Sequence, residues 1–171
     1  MTSAHLRAVV LVVSDRSSAG EREDLSGPAA KHELQSQGFT VDSVDLVPDE
    51  VTAIRERLVG YAEAGIPFVL TSGGTGFAPR DVTPEATAMV IERDAPGLAE
   101  MLRRETTRFT RFTAISRGLA GIRGGTLMVN APGSPKGVKQ YLELLAPLLP
   151  HALAVLAGEN PSHKPESGEA P

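Results

Sequence analysis

The chain has 171 residues, 41% of them hydrophobic, and a formal net charge of −4 with histidine neutral. That length and apolar content suit one packed domain, not two ordinary ones and not a disordered chain. The acidic balance argues against general attraction to nucleic acid or to an anionic membrane, and the lack of cysteine excludes disulfides, thiolate catalysis and cysteine-ligated metal centres.

Leu6 to Ser14 is a near-continuous valine-rich run, the pattern of a strand covered on both faces. It falls far short of the ~20 apolar residues that cross a bilayer. Asp15 and Arg16 follow it with no cleavage-type segment, so a cytoplasmic location without a secretory signal is expected. Pro28 opens a helix to about Gln37, and Gly38 ends it. Phe39 to Val47 reads as a second strand whose alternation slips by one near Asp42. Pro48, Asp49 and Glu50 open a helix with Val51, Ile54, Leu58 and Tyr61 at helical spacing, closed by Gly65. Ile66 to Leu70 is a third strand and Thr71 to Gly76 the glycine-rich turn after it. Helical pattern returns at Pro84 to Glu92 and from Pro96 to about Arg104. Thr126 to Val129 is a further strand, followed by a helix from Pro135 to Ala157 that Pro147 and Pro150 should kink or divide. From Gly158 the composition turns polar, so residues 158–171 read as a flexible tail beyond one domain of residues 1–157. The alternation of strands and helices specifies a three-layer α/β/α domain around a mostly parallel sheet.

Ligands of open α/β sheets bind beyond the carboxyl ends of the strands. Three loops occupy that end: Ser14 to Gly20, Thr71 to Asp81 and Asn130 to Gly137. Gly73, Gly74 and Gly76 allow a sharp turn whose N–H groups can cradle an anion, or serve turn geometry alone. The spacing matches neither a dinucleotide fingerprint nor a P-loop. Arg80 offers a planar fork to an anion, and Asp81 can hold a metal; alternatively Asp81 or Thr83 caps the helix at Pro84. Asp49 and Glu50 either favour a helix dipole or bring a carboxylate to the same sheet edge. Convergence of Asp49 and Asp81 would suit Mg²⁺ shared with substrate phosphates. Ser14 and Asp15 form a local turn or line the pocket. Ser116-Arg117-Gly118 and Arg123-Gly124-Gly125 are either anion contacts or ordinary turns, and Lys136 is as consistent with solvation as with phosphate contact. Four scattered histidines (His5, His32, His151 and His163) lack metal-ligand spacing, and the methionines and aromatics read as core filling.

SDRSSAG at residues 14–20, PDE at 48–50, TSGGTGFAPRDVTPEAT at 71–87, PGLAEMLR at 96–103 and ISRGLAGIRGGTLMVNAPGSPKG at 115–137 together resemble one family. It is the molybdopterin adenylyltransferase family, comprising bacterial Mog-type proteins and the G domain of fused eukaryotic molybdenum-cofactor proteins. The resemblance implies a molybdopterin-binding-domain-like fold, commonly assembled as a homotrimer. It implies transfer of AMP from MgATP to the terminal phosphate of molybdopterin, with pyrophosphate released and the product handed to a molybdenum-insertion protein. Asp49 and Asp81 match the acidic positions needed for activity and would organise Mg²⁺ and ATP. Gly73, Gly74 and Gly76 match a substrate-phosphate and nucleotide loop, and Ser116 a hydroxyl of the substrate pocket. Thr106 stands where close relatives carry serine. Ser14, Asp15, Thr71, Thr75, Arg80, Arg117, Pro132, Gly133 and Ser134 are expected as further contacts to the substrates. Two other readings use the same residues: a molybdopterin carrier without turnover, and a nucleotide or pyrophosphate hydrolase on the related fold.

Overall fold

The apolar run at the start of the chain forms β1 (Arg7–Val13), whose residues after Arg7 are all buried. Its side chains alternate between two cores. Ala8, Val10 and Val12 join one, and Val9, Leu11 and Val13 join the other, which is how a central strand separates two helical layers. The computed structural model describes residues 6–159. His5, His163 and the tail from residue 160 onward lie outside the described residues.

Six strands form one sheet in the order β2-β1-β3-β6-β5-β4. The remaining strands are β2 (Thr40–Val47), β3 (Phe68–Ser72), β4 (Arg93–Asp94), β5 (Ala120–Arg123) and β6 (Thr126–Ala131). β2, β1, β3 and β6 run parallel to one another, whereas β5 pairs antiparallel with both β6 and β4. The first core packs β1, β3 and β6 under α2 (Ser26–Ser36), α5 (Pro96–Thr106), α6 (Pro135–Leu145) and α7 (Leu149–Leu156). The second packs them under α3 (Val51–Glu63) and α4 (Thr83–Ala88). A short helix, α1 (Asp15–Ser18), leaves β1 directly. The architecture is therefore a three-layer α/β/α domain with a mostly parallel sheet.

Several sequence expectations need correction. Thr71 and Ser72 belong to β3, so the glycine turn begins at Gly73. The helix expected over Pro84 to Glu92 ends at Ala88, and Arg93–Asp94 instead pair with β5. β5 occupies part of the segment read as turns, and its hairpin to β6 turns at Gly124, where φ is +52°. Asn130 and Ala131 extend β6. Neither Asp81 nor Thr83 caps α4: Val82 holds that position with no side-chain cap. Core filling also fails for several large apolar residues, since Phe77, Met89, Phe109 and Phe112 are exposed.

Other expectations hold. The slip near Asp42 is a β-bulge: Ala8 pairs with Val41 and Val9 with Ser43, leaving Asp42 unopposed. The prolines divide the last helix into α6 and α7.

Candidate functional site

The chain passes from β1 to β2 on one side and then returns to place β3 on the other. This reversal opens a crevice at the carboxyl ends of β1 and β3, where open sheets bind their ligands. All three loops singled out in the sequence meet there.

Backbone packing explains why glycine is needed at the exit of β3. Gly73 has φ +108°, and a Cβ there would lie 2.3 Å from the Val13 carbonyl oxygen. Its N–H donates to the Ala131 carbonyl at 3.1 Å, and a Cβ on Gly133 would lie 3.2 Å from its Cα. Thr83 then fastens the turn to α4: its Oγ1 donates to the Gly73 carbonyl at 2.8 Å and its N–H to the Gly74 carbonyl at 3.0 Å. Ser72 Oγ donates to the Pro132 carbonyl at 3.1 Å, joining the second and third loops.

The acidic residues are seated against this turn. A Cβ on Gly74 would lie 2.9 Å from Asp49 Oδ1, and one on Gly76 2.9 Å from Asp81 Oδ2. Both carboxylates line one polar cavity of about 400 Å³ together with Ser14, Gly73, Gly74 and Ser134. Partial burial and the neighbouring Asp15 and Asp81 charges push the Asp49 carboxyl above its ordinary range, although the Asp15 backbone N–H, which donates to Asp49 Oδ2 at 2.8 Å, and the nearby Arg80 work in the opposite direction. Asp15 behaves differently. The Arg80 fork, with Nε and Nη2 each 2.9 Å from its carboxylate, holds it below the usual range. Among the described residues no group of three or more histidine or acidic side chains is placed to hold a metal ion.

A second cavity of about 340 Å³ lies beside the first and is lined by Phe109, Phe112, Ile115 and Tyr141. Thr75, Gly76, Thr106, Ser116, Pro132 and Lys136 also face it. Ser134 lines both cavities and caps α6, accepting the Gly137 N–H at 3.1 Å. Thr106 is almost fully buried, with its hydroxyl 2.6 Å from that of Thr113 and donating to the Leu102 carbonyl.

Not every expected contact reaches a cavity. Thr71 is buried in the sheet, where its hydroxyl accepts from Asn130 Nδ2 at 2.9 Å. Arg80 and Asp15 are engaged with each other, and Arg117 is bound to backbone carbonyls and Glu85. Arg123 is likewise occupied, donating to the Val90 carbonyl at 3.1 Å beside Glu92. Ser14 combines both of its readings, capping α1 through the Ser17 N–H at 3.2 Å while lining the polar cavity.

Sequence reasoning missed Arg22, Asp24 and Ser26 on the polar cavity and Phe109 and Phe112 on the other. The two phenylalanines carried a signal, because they interrupt a Thr- and Arg-rich stretch without helical or strand period.

Fold and crevice define a doubly wound α/β protein with an open cavity at the topological switch point. Residues 9–151 match the family model described as a probable molybdopterin binding domain. The chain belongs to this family, the MogA/MoaB group of molybdenum-cofactor biosynthesis. It is 46% identical to the molybdopterin biosynthesis enzyme MoaB of Thermus thermophilus, with 90% of this chain and 98% of that one covered at a TM-score of 0.85. It is 39% identical to the molybdopterin adenylyltransferase of Escherichia coli over 81% of this chain and 72% of that protein. Identity to the molybdenum cofactor synthesis protein cinnamon of Drosophila melanogaster is 40%, over 88% of this chain and 25% of that protein. The chain spans half or less of the length of the larger curated relatives that it matches. Among the described residues no helix is long and apolar enough to cross a membrane.

Proposed function

We propose that the chain transfers the AMP part of MgATP to the terminal phosphate of molybdopterin, giving adenylylated molybdopterin and pyrophosphate. The observation carrying this reading is the meeting of two unlike cavities at one wall. The acid-lined cavity and the aromatic-lined one adjoin along the glycine turn and the Pro132–Ser134 loop, with Ser134 shared. Through a cation held by its carboxylates the first suits phosphates, and a flat heteroaromatic ring suits the second. Relatives named molybdopterin adenylyltransferase support the same reaction class.

The reaction needs no protein nucleophile. An oxygen of the acceptor phosphate attacks the α-phosphorus, the bond from that phosphorus to the bridging oxygen breaks, and pyrophosphate departs with the electron pair. The chain's task is alignment and charge stabilisation. The N–H groups that follow Gly73 in the glycine turn serve as donors between the cavities, while Thr75 and Ser116 hold the acceptor on the aromatic side. Asp49 and Asp81 would hold Mg²⁺: two carboxylates on one wall fit an ion that takes its other ligands from phosphate oxygens and water. What Mg²⁺ supplies when bound is neutralisation of phosphate charge. Assembly as a homotrimer and handover to a molybdenum-insertion protein belong to the same proposal.

The test combines purified protein with molybdopterin and MgATP and scores adenylylated molybdopterin and pyrophosphate together. Matched formation of both, dependent on Mg²⁺ and on pterin, is expected. Pterin binding without product would replace the proposal with a carrier role, and ATP breakdown without adenylylated pterin with a hydrolase.

A further inference from the structure

A guanidinium presents five N–H donors in a rigid plane, so one arginine can fix several acceptors at once. Arg117 uses this capacity on the scaffold. Its backbone N–H donates to the Thr75 carbonyl at 2.8 Å, Nε to the Gly76 carbonyl at 2.7 Å and Nη2 to the Asp81 carbonyl at 2.6 Å. Nη1 pairs with the Glu85 carboxylate in the first turn of α4.

These partners lie on both sides of the loop at residues 77–80, so Arg117 bridges its two ends. In a planar trans peptide the N–H of the next residue points opposite to the carbonyl. Holding the carbonyls of Thr75, Gly76 and Asp81 therefore also orients the N–H groups of Gly76, Phe77 and Val82. The Asp81 side chain belongs to the same closed loop, since its Oδ2 accepts the Ala78 N–H at 3.0 Å. Asp81 lines the acid-lined cavity, whereas Ser116, the neighbour of Arg117, lines the aromatic one. Arg117 lines neither.

We propose that Arg117 is a positioning residue that sets the spacing between Asp81 in one cavity and Ser116 in the other, and so the alignment of the two substrates. This rests on the adenylyl-transfer reading. It replaces the expectation that Arg117 contacts a substrate anion. Lysine at this site would keep the charge but not the planar fork that reaches Gly76, Asp81 and Glu85 together.

The experiment compares wild type, Arg117→Lys, Arg117→Ala and Glu85→Gln. It measures single-turnover rate, separate equilibrium binding of MgATP and molybdopterin, thermal midpoint, and hydrogen exchange of the amides at residues 76–82. Arg117→Lys is expected to lower the rate about 10- to 100-fold, the scale of a small misalignment. Both dissociation constants should stay within about threefold of wild type, because no substrate contact is lost. Exchange at residues 76–82 should accelerate while the sheet amides stay protected. Guanidinium ion should restore part of the rate of Arg117→Ala where methylammonium does not. Glu85→Gln should show a smaller loss, since the bonds to Gly76 and Asp81 remain.

A wild-type rate in Arg117→Lys overturns the inference. So does weakened binding of either substrate that accounts for the whole loss, or a loss that follows the thermal midpoint without guanidinium rescue. Wild-type protein that binds both substrates but forms no adenylylated product instead overturns the reaction. The exchange measurement then still decides whether Arg117 holds the loop, and unchanged exchange in Arg117→Lys counts against it.

Discussion

Asp15 and Asp49 each donate a backbone N–H to the other's carboxylate, at 2.8 and 2.9 Å, so the loops leaving β1 and β2 are fastened by a reciprocal pair. One oxygen of Asp49 is committed to that exchange, and the other faces Gly74. The Arg80 fork closes on the outer side of Asp15, linking the β3 loop to the same pair.

Asp15→Ala should therefore act through Asp49. It leaves the Asp49 N–H without its acceptor and releases Arg80. Turnover is expected to fall by about tenfold or more, with MgATP binding weakened and the thermal midpoint little changed. Steady-state kinetics beside a thermal melt checks this, and an unaltered kcat/KM would show that Asp49 keeps its place without Asp15.

Asp49→Asn should separate activity from stability. Turnover is expected to fall by about 100-fold or more, because a carboxylate for the cation is lost. In metal-free protein the thermal midpoint should match or exceed that of wild type, since burial and adjacent carboxylates make the Asp49 charge unfavourable. A clearly lower midpoint would mean that the negative charge itself is stabilising.

Two glycines with positive φ should respond differently. Gly73→Ala places a Cβ 2.3 Å from a backbone carbonyl that cannot move away cheaply, and a cost above about 3 kcal/mol is expected. Gly124→Asn meets open space at φ +52°, a conformation that asparagine tolerates, and should cost about 1 kcal/mol or less. Denaturant unfolding of the two variants measures the contrast.

Asn130 is a buried tie between elements distant in the chain. Its Nδ2 donates to Thr71 and Thr87 at 2.9 Å each, and its Oδ1 accepts the Leu119 N–H at 3.0 Å. Asn130→Ala is expected to destabilise the protein by about 3 kcal/mol through lost bonds and partners left unpaired. Chemical denaturation would show this as a lower midpoint with an unchanged slope.

Tyr61 gives the fold an alkaline limit. Burial and the bond from its hydroxyl to Asp45 at 2.5 Å push its ionisation far above the ordinary value of 10.0. Because the raised value belongs to the folded state, the associated stability is complete below pH 10 and declines as pH rises beyond it, where the unfolded tyrosine ionises first. Tyr61→Phe should cost about 1 kcal/mol at neutral pH and flatten the decline above pH 10 that unfolding titrations of wild type should display.

What the sequence revealed depended on whether neighbouring residues carried the information. The buried run of β1, the slip at Asp42 and the prolines dividing α6 from α7 are local patterns with direct structural counterparts. β5 was hidden because Gly121 looks like turn chemistry. It is glycine because Ile91 packs against it, and a Cβ there would lie 2.7 Å from Ile91 Cδ1. The meeting of Asp49 and Asp81 was legible from strand order and loop position. The directions of Thr71 and Arg117 were not, because their partners lie 59 and 41 residues away in the chain. Arg22 and Asp24 sit in a segment without period, where nothing marks one polar residue above another.

The sheet ends in two charged borders. On one side β4 is only Arg93 and Asp94, both exposed. On the other, β2 carries the unopposed Asp42, whose carboxylate accepts the Arg7 Nε–H at 3.1 Å. A two-residue edge offers little template to a further strand, and a bulged, charged edge disrupts the ladder that a newcomer would need. Strand-to-strand growth into ribbons or fibrils is thus disfavoured at both ends, which leaves the helical faces and loops for contacts with other chains.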